Sequence, residues 1–203
     1  TFKCSYETNI IQRNVALIEY ALGLRVGINE IRDKVSFLYS GKQKLSIKLT
    51  NSKKNIVIIP GASHASKRYP VSKLVEITKL IDANYYIIWG SREEEILANK
   101  MKKSVPKVNV CKKLQLESLI LLISQVDLVI GPDTGPTHLS WALNVPSITL
   151  FGPTPGLRNS YVTPINRVIE SNSKVNPMQI DKKDFSIQNI DVEDICLIAK
   201  ELL

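Results

Sequence analysis

Residues 128–151 read LVIGPDTGPTHLSWALNVPSITLF, and this stretch decides the fold. Leu128, Val129 and Ile130 form a short, wholly apolar run that Gly131-Pro132-Asp133 stops. Residues 147–151 (Ser-Ile-Thr-Leu-Phe) predict a second strand, stopped by Gly152-Pro153. Apolar runs of this length suit strands buried on both faces of a sheet. Residues 137–143, lying between them, are expected to form a helix. Two such strands joined through one helix make a crossover unit, in which the strands are parallel.

The same grammar runs upstream. Residues 56–59 (Ile-Val-Ile-Ile) predict a strand ended by Pro60-Gly61. Residues 70–83 predict a helix with Val71, Leu74, Val75, Thr78 and Ile81 on one side. A strand over 85–89, a helix over 93–102, a strand over 108–110 and a helix over 116–124 follow. A last helix, 192–203, follows the capping candidate Asp191. Strands and helices that alternate over short connections predict an α/β, doubly wound parallel sheet of Rossmann type. The first third differs. Residues 9–22 predict a helix with the stripe Ile10, Ile11, Val15, Leu17, Ile18 and Leu22, stopped at Gly23. Residues 25–53 are polar and without clear period, so they read as a linker with one strand over 45–49. The organisation expected is therefore 1–53 as a separate leading segment and 54–203 as the sheet domain.

At 203 residues, 44% of them hydrophobic, the chain suits one domain or one domain plus part of another. No apolar run approaches the roughly 18 residues of a membrane span, so a soluble protein is expected. Cys4, Cys111 and Cys196 are odd in number and scattered, which argues against a zinc site or a disulfide framework and for a reducing cytosol. The net charge of +8, from 27 Lys+Arg against 19 Asp+Glu, favours an anionic partner, although solubility alone accounts for it equally well. Its lysines are spread, with only residues 42–54 locally dense, so a nucleic-acid module is not expected. The start at Thr1-Phe2-Lys3-Cys4, without Met or an apolar leader, reads as an internal start.

Ligands of such sheets bind at the carboxyl ends of the strands. Four strand ends carry unusual residues: 60–67, 90–95, 131–138 and 152–159. The octet from Gly131 to His138 is the most specific. Gly135 allows a close backbone approach, and the amides that follow Thr134 open a helix, a natural phosphate site. Asp133 does not suit a phosphate and would face something else, such as sugar hydroxyls. The competing reading is a tight turn capped by Asp133 and Thr134, with His138 a satisfied core histidine. Lys67, taken alone, reads as a solvated surface lysine.

The string GPDTGPTHLSWALNVPSITLFGPT (131–154) is similar to the donor-site motif of glycosyltransferase family 9, the heptosyltransferases. Its Asp-Thr-Gly form resembles the heptosyltransferase I branch, and the likeness runs from about Lys53 to Asn159, more weakly beyond. The resemblance implies the C-terminal, donor-binding half of a two-Rossmann-domain (GT-B) transferase, with 1–53 a remnant of the acceptor domain and the interdomain linker. It implies that Lys67 reaches the donor's phosphate and sugar and offsets charge on the departing diphosphate, and that Ser63 bonds phosphate. The family usually has acidic residues just before that lysine; this chain has Ala65-Ser66. Glu95 matches the glutamate that accepts bonds from the adenosine ribose, within the run Glu93-Glu94-Glu95, where first-turn charges also serve as plain helix stabilisers. Leu114 falls where the family packs an apolar side chain on adenine. Asp133 would bind heptose hydroxyls, Thr134 and Gly135 the phosphates, and His138 would support that turn.

The family's general base is an aspartate in a glycine-rich loop, and no such loop occurs here, so the base is expected outside this chain. With no Asp-x-Asp pair, P-loop or GxGxxG, no metal or other cofactor is expected. The activity implied is inverting transfer of heptose from ADP-heptose to the Kdo of lipid A, in the cytoplasm, by a protein in peripheral contact with the inner membrane. Two other readings stand beside it: a non-catalytic adenine-nucleotide-binding or regulatory module, and a family member with another sugar or acceptor. Tighter binding of the ADP-sugar than of ADP separates the transferase from the module.

Overall fold

The computed structural model describes residues 1–41 and 45–203. Helices α1 (Ile10–Leu22) and α2 (Ile28–Arg32) precede the sheet domain. Then come β1 (Asn55–Ile58), α3 (Val71–Leu80), β2 (Asn84–Ile87), α4 (Arg92–Ser104), β3 (Asn109–Val110) and α5 (Leu116–Ile123). The second half holds β4 (Leu128–Pro132), α6 (Gly135–Ala142), β5 (Ser147–Phe151), α7 (Gly156–Asn159), β6 (Asn166–Glu170) and α8 (Val192–Leu202). Strand order is β3-β2-β1-β4-β5-β6, with every pairing parallel. The doubly wound sheet is thus as expected. Chain direction across the sheet reverses between β1 and β4, and a crevice opens there at the carboxyl ends of the strands.

The apolar runs work because alternate residues face opposite layers. Ile56, Ile58, Tyr85, Ile87, Leu128, Ile130, Ile148 and Leu150 point into one core, closed by Leu74 and Ile77 of α3, Met101 of α4 and Ile195 of α8. Val57, Ile59, Tyr86, Ile88 and Val129 point into the other, closed by Ile120 and Ile123 of α5, with Leu139 of α6 packed against it. Each fully buried side chain of this size contributes roughly 1.5–3 kcal/mol, so both faces of the sheet hold the crevice residues on a rigid base.

Three expectations need correction. Residues 45–49 are not a strand: Leu45, Ile47 and Leu49 pack on the second core layer. Their alternation reflects one-sided burial across the face of the sheet, where the Tyr86 hydroxyl donates to the Lys48 carbonyl at 3.2 Å, not pairing along an edge. Residues 42–44 of the lysine-dense stretch lie outside the described residues. The linker also contains α2, whose first turn is closed by Glu30 accepting from the Gly27 amide at 2.6 Å. Finally, β6 was not expected. Its sequence, Asn-Arg-Val-Ile-Glu, has only two apolar residues because it is the edge strand. Asn166 pins it, donating to the Val145 carbonyl at 2.8 Å and to Ser147 Oγ at 2.9 Å.

Gly152, just past β5, has no room for a side chain. A Cβ there would lie 2.6 Å from Ile187 Cβ and 2.9 Å from the Ile187 backbone nitrogen. Because the backbone cannot yield as a side-chain tip does, Gly152→Ala should cost about 1–3 kcal/mol. Urea unfolding measures it, and an unchanged midpoint would show that the turn at Ser186–Asn189 moves freely.

Candidate functional site

Past β1 the chain turns at Gly61 and forms a 3-10 turn, Ala65–Lys67, that ends on Lys67. Asp133 directly follows β4, and its own amide is still held by the Leu150 carbonyl of β5 at 3.2 Å. The two side chains meet across the crevice, with Lys67 Nζ 2.9 Å from Asp133 Oδ2 and each side chain only 10% exposed. His138 Nε2 lies 2.9 Å from the other oxygen, Oδ1. Thr154 Oγ1 donates to Oδ2 at 2.9 Å, and Asn159 Nδ2 approaches it at 3.4 Å. Burial by itself would push the Asp133 carboxyl up. The His138 hydrogen bond and the Lys67 ammonium outweigh it and hold the group well below the ordinary carboxylate range.

The octet's other residues serve this arrangement. At Gly131 a Cβ would sit 2.7 Å from Thr137 Oγ1, and that hydroxyl closes the turn by donating to the Pro132 carbonyl at 2.8 Å. The turn is therefore fixed from inside, leaving Asp133 and His138 to face each other. Gly135 opens α6, and a Cβ there would meet no protein atom within 4 Å. Its amide lies at a helix N-terminus, where the first N–H groups have no intrahelical partner.

Beside this cluster lies a cavity of about 290 Å³ lined by Ile59, Ile88, Trp89, Gly90, Ser91, Glu94, Leu114, Leu119, Thr134 and Pro136. It is largely apolar, with Glu94 as its carboxylate. The Trp89 wall is fixed by its indole N–H, which donates to the Cys111 carbonyl at 2.7 Å. Glu94 caps α4, with Oε2 accepting from the Gly90 amide at 2.7 Å and the Ser91 amide at 3.2 Å. Its carboxylate lies across Gly61, where a Cβ would collide with it.

The structure thus brings Lys67, Asp133 and His138 together and places Leu114 and Thr134 on the adjoining cavity. Gly135 begins the helix at its mouth. Ser63 is exposed on the connection after β1. Glu95 is paired with Arg92 and does not line the cavity; its neighbour Glu94 does. Thr154 and Asn159 were not singled out from sequence. They stand in one of the four strand ends, but nothing in Thr-Pro-Gly-Leu-Arg-Asn says that two of its polar groups reach back to β4.

Comparison with known proteins supplies the family. The profile of Glycosyltransferase family 9 (heptosyltransferase) matches residues 1–189. Lipopolysaccharide heptosyltransferase 1 of Campylobacter coli is 38% identical over 216 residues, covering 97% of this chain and 62% of the relative. Lipopolysaccharide heptosyltransferase 1 of Salmonella typhimurium is 31% identical over 109 residues, 52% of this chain and 34% of the relative. The chain therefore spans less than two thirds of the length of these relatives. Among solved structures, the E. coli heptosyltransferase WaaC with ADP superposes with a TM-score of 0.74 at 19% identity, over 100% of this chain and 59% of that one. That likeness speaks to the fold. The profile match across most of the chain and the identity to the Campylobacter relative show that this chain belongs to glycosyltransferase family 9, the heptosyltransferase family.

Proposed function

We propose that residues 54–203 form the ADP-sugar site of an inverting transferase that moves heptose from ADP-heptose to a Kdo of lipid A, with residues 1–53 leading from the acceptor side. The observation that carries this reading is the buried Lys67–Asp133–His138 cluster at the switch point, set against a preformed apolar cavity. Solved family structures with ADP, and with ADP-2-deoxy-2-fluoro heptose, are in keeping with it.

In this reading adenine enters the apolar cavity against Leu114, and the diphosphate lies over the Gly135 amide within reach of Lys67 and Ser63. Lys67 then exchanges one anion for another, leaving Asp133 for phosphate as Asp133 accepts the sugar's hydroxyls. Each buried charge keeps polar partners, Lys67 the phosphate and Asp133 the hydroxyls with His138 and Thr154, which is what makes the exchange feasible in a dry crevice. His138 keeps Asp133 ionised and oriented throughout. The acceptor hydroxyl attacks the anomeric carbon from the face opposite ADP, the bond to the diphosphate breaks, and Lys67 offsets the charge gathering there. The proton goes to a base outside the residues named here. The excess positive charge suits an anionic nucleotide and a phosphorylated acceptor at the inner leaflet.

Ribose is the sharpest test of the cavity. The resemblance points to Glu95, but Glu94 is the carboxylate on the cavity wall, so we assign the vicinal diol to Glu94. A hydrogen bond to a buried charge is worth roughly 1.5–3 kcal/mol. Glu94→Gln should therefore weaken ADP about tenfold or more while leaving 2′,3′-dideoxy-ADP unchanged, with Glu95→Gln silent towards both. Calorimetry decides it; a diol-selective loss in Glu95→Gln alone would return the role to that residue. In the same titrations ADP-heptose should bind tighter than ADP. Equal affinities would favour a plain adenine-nucleotide module.

A further inference from the structure

Helix α7 is only four residues long, yet it is held from three directions. From the sheet, Glu170 Oε1 accepts the Gly156 amide at 2.6 Å. From the start of the chain, Asn9 Nδ2 donates to the Leu157 carbonyl at 2.8 Å and to the Ser160 carbonyl at 2.9 Å. Arg158 Nε donates to the Tyr6 carbonyl at 2.7 Å, and its guanidinium stands 4.0 Å from the centre of the Tyr6 ring. Arg13 sits against the same ring at 4.9 Å. From the crevice, Arg158 Nη1 donates to Asn159 Oδ1 at 2.7 Å, and Asn159 Nδ2 faces Asp133 Oδ2.

The chemistry of this chain of contacts allows one arrangement. A side-chain amide has a donor end and an acceptor end, and its orientation follows from its neighbours. A guanidinium only donates and an ionised carboxylate only accepts. With Arg158 on one side and Asp133 on the other, Asn159 must turn Oδ1 outward and its NH₂ inward. Without Arg158 the outward side lacks its charged donor, and only the long 3.4 Å contact to Asp133 still holds the amide. Arg158 is itself anchored on residues that precede α1.

We propose that Arg158 is a positioning residue for the sugar-reading carboxylate: it orients the Asn159 amide towards Asp133 and ties that orientation to the segment from Tyr6 to Arg13. A displacement of that segment is then felt at Asp133 through a single guanidinium. The inference rests on the reading of Asp133 as the group that meets sugar hydroxyls, and its test separates the two.

Two readouts are needed. By NMR without nucleotide, the Asn159 side-chain amide protons should exchange about tenfold faster in Arg158→Ala than in the native chain. By calorimetry, Arg158→Ala should weaken ADP-heptose about fivefold, the usual worth of one net hydrogen bond, with ADP changed less than twofold. The double variant Arg158→Ala/Asn159→Ala should lose no more than Asn159→Ala does, because the two act as one unit. Should Arg158→Ala not fold, Arg158→Lys carries the same test, since an ammonium cannot bond both Tyr6 and Asn159 in the guanidinium's fork. Unchanged amide exchange overturns the proposal whatever the nucleotide does. So does an unchanged preference for ADP-heptose over ADP in a chain where Asp133→Asn abolishes it. If Asp133→Asn leaves that preference intact, the reading of Asp133 fails, and amide exchange alone then judges whether Arg158 orients Asn159.

Discussion

On the proposed reading, Lys67→Ala should lower heptose transfer about 10²-fold or more, because a cation aimed at a departing diphosphate is worth several kcal/mol. The structure adds a second consequence. Lys67 is not a solvated lysine waiting for phosphate but one half of a nearly buried pair with Asp133. Removing one partner of such a pair typically costs about 3–5 kcal/mol of stability, since the other charge stays buried without its counter-ion. Turnover and unfolding must therefore be measured on the same preparation. Lys67→Arg separates the two effects: it keeps the charge opposite Asp133 but replaces a compact ammonium by a planar fork. Stability should recover in that variant more fully than transfer. Native turnover in a folded Lys67→Ala protein would remove Lys67 from the leaving-group role.

Lys67 also shows what was legible in the sequence and what was not. Strands β1, β2, β4 and β5 were readable because each is buried on both faces and so is mostly apolar, with Asn55, Asn84, Ser147 and Thr149 as the polar interruptions. Their glycine and proline stops alone put four loops on one edge of the sheet. Strand β6 was not readable, since it lies at an edge of the sheet where most of its residues are only half-buried, and Arg167 and Glu170 hide its period. The stretch Leu45–Ile47–Leu49 misled for the opposite reason: it alternates without pairing. At the site, residue types were legible and partnerships were not. Lys67 and Asp133 were each assigned to the donor, but their direct contact depends on β1 and β4 lying side by side. Three consecutive glutamates cannot be told apart in a string. On a helix each is turned about 100° from the last, which sends Glu94 to the cavity and Glu95 to Arg92. Thr154 and Asn159 are ordinary loop residues until the β5 end is seen to curl back over Asp133.

Asp133→Asn carries the other large effect, and pH exposes its origin. Asparagine keeps the shape and an acceptor oxygen but loses the charge that Lys67 and His138 face, so at neutral pH it should cost about 3–5 kcal/mol. The size of the loss should then depend on acidity. The carboxyl is held below its ordinary range in the folded chain, where the His138 and Lys67 contacts outweigh burial, while unfolded it titrates near the usual value of about 3.9. The unfolded state thus takes up a proton before the folded state does. The stabilisation is fully present above the unfolded pKa and is lost as pH falls towards the folded one. The native chain should therefore lose stability below about pH 4, while the variant has no such carboxylate contribution to lose. The gap between the two should narrow as acid is added. Asp184, also held below its ordinary range through Ser173 and Ser186 despite some burial, is common to both chains and cancels in the difference. Urea unfolding at pH 7 and at successively lower pH measures the gap directly. A gap as wide at pH 3 as at pH 7 would show that the asparagine harms packing and not charge, and the buried pair could then no longer be what holds the crevice in shape.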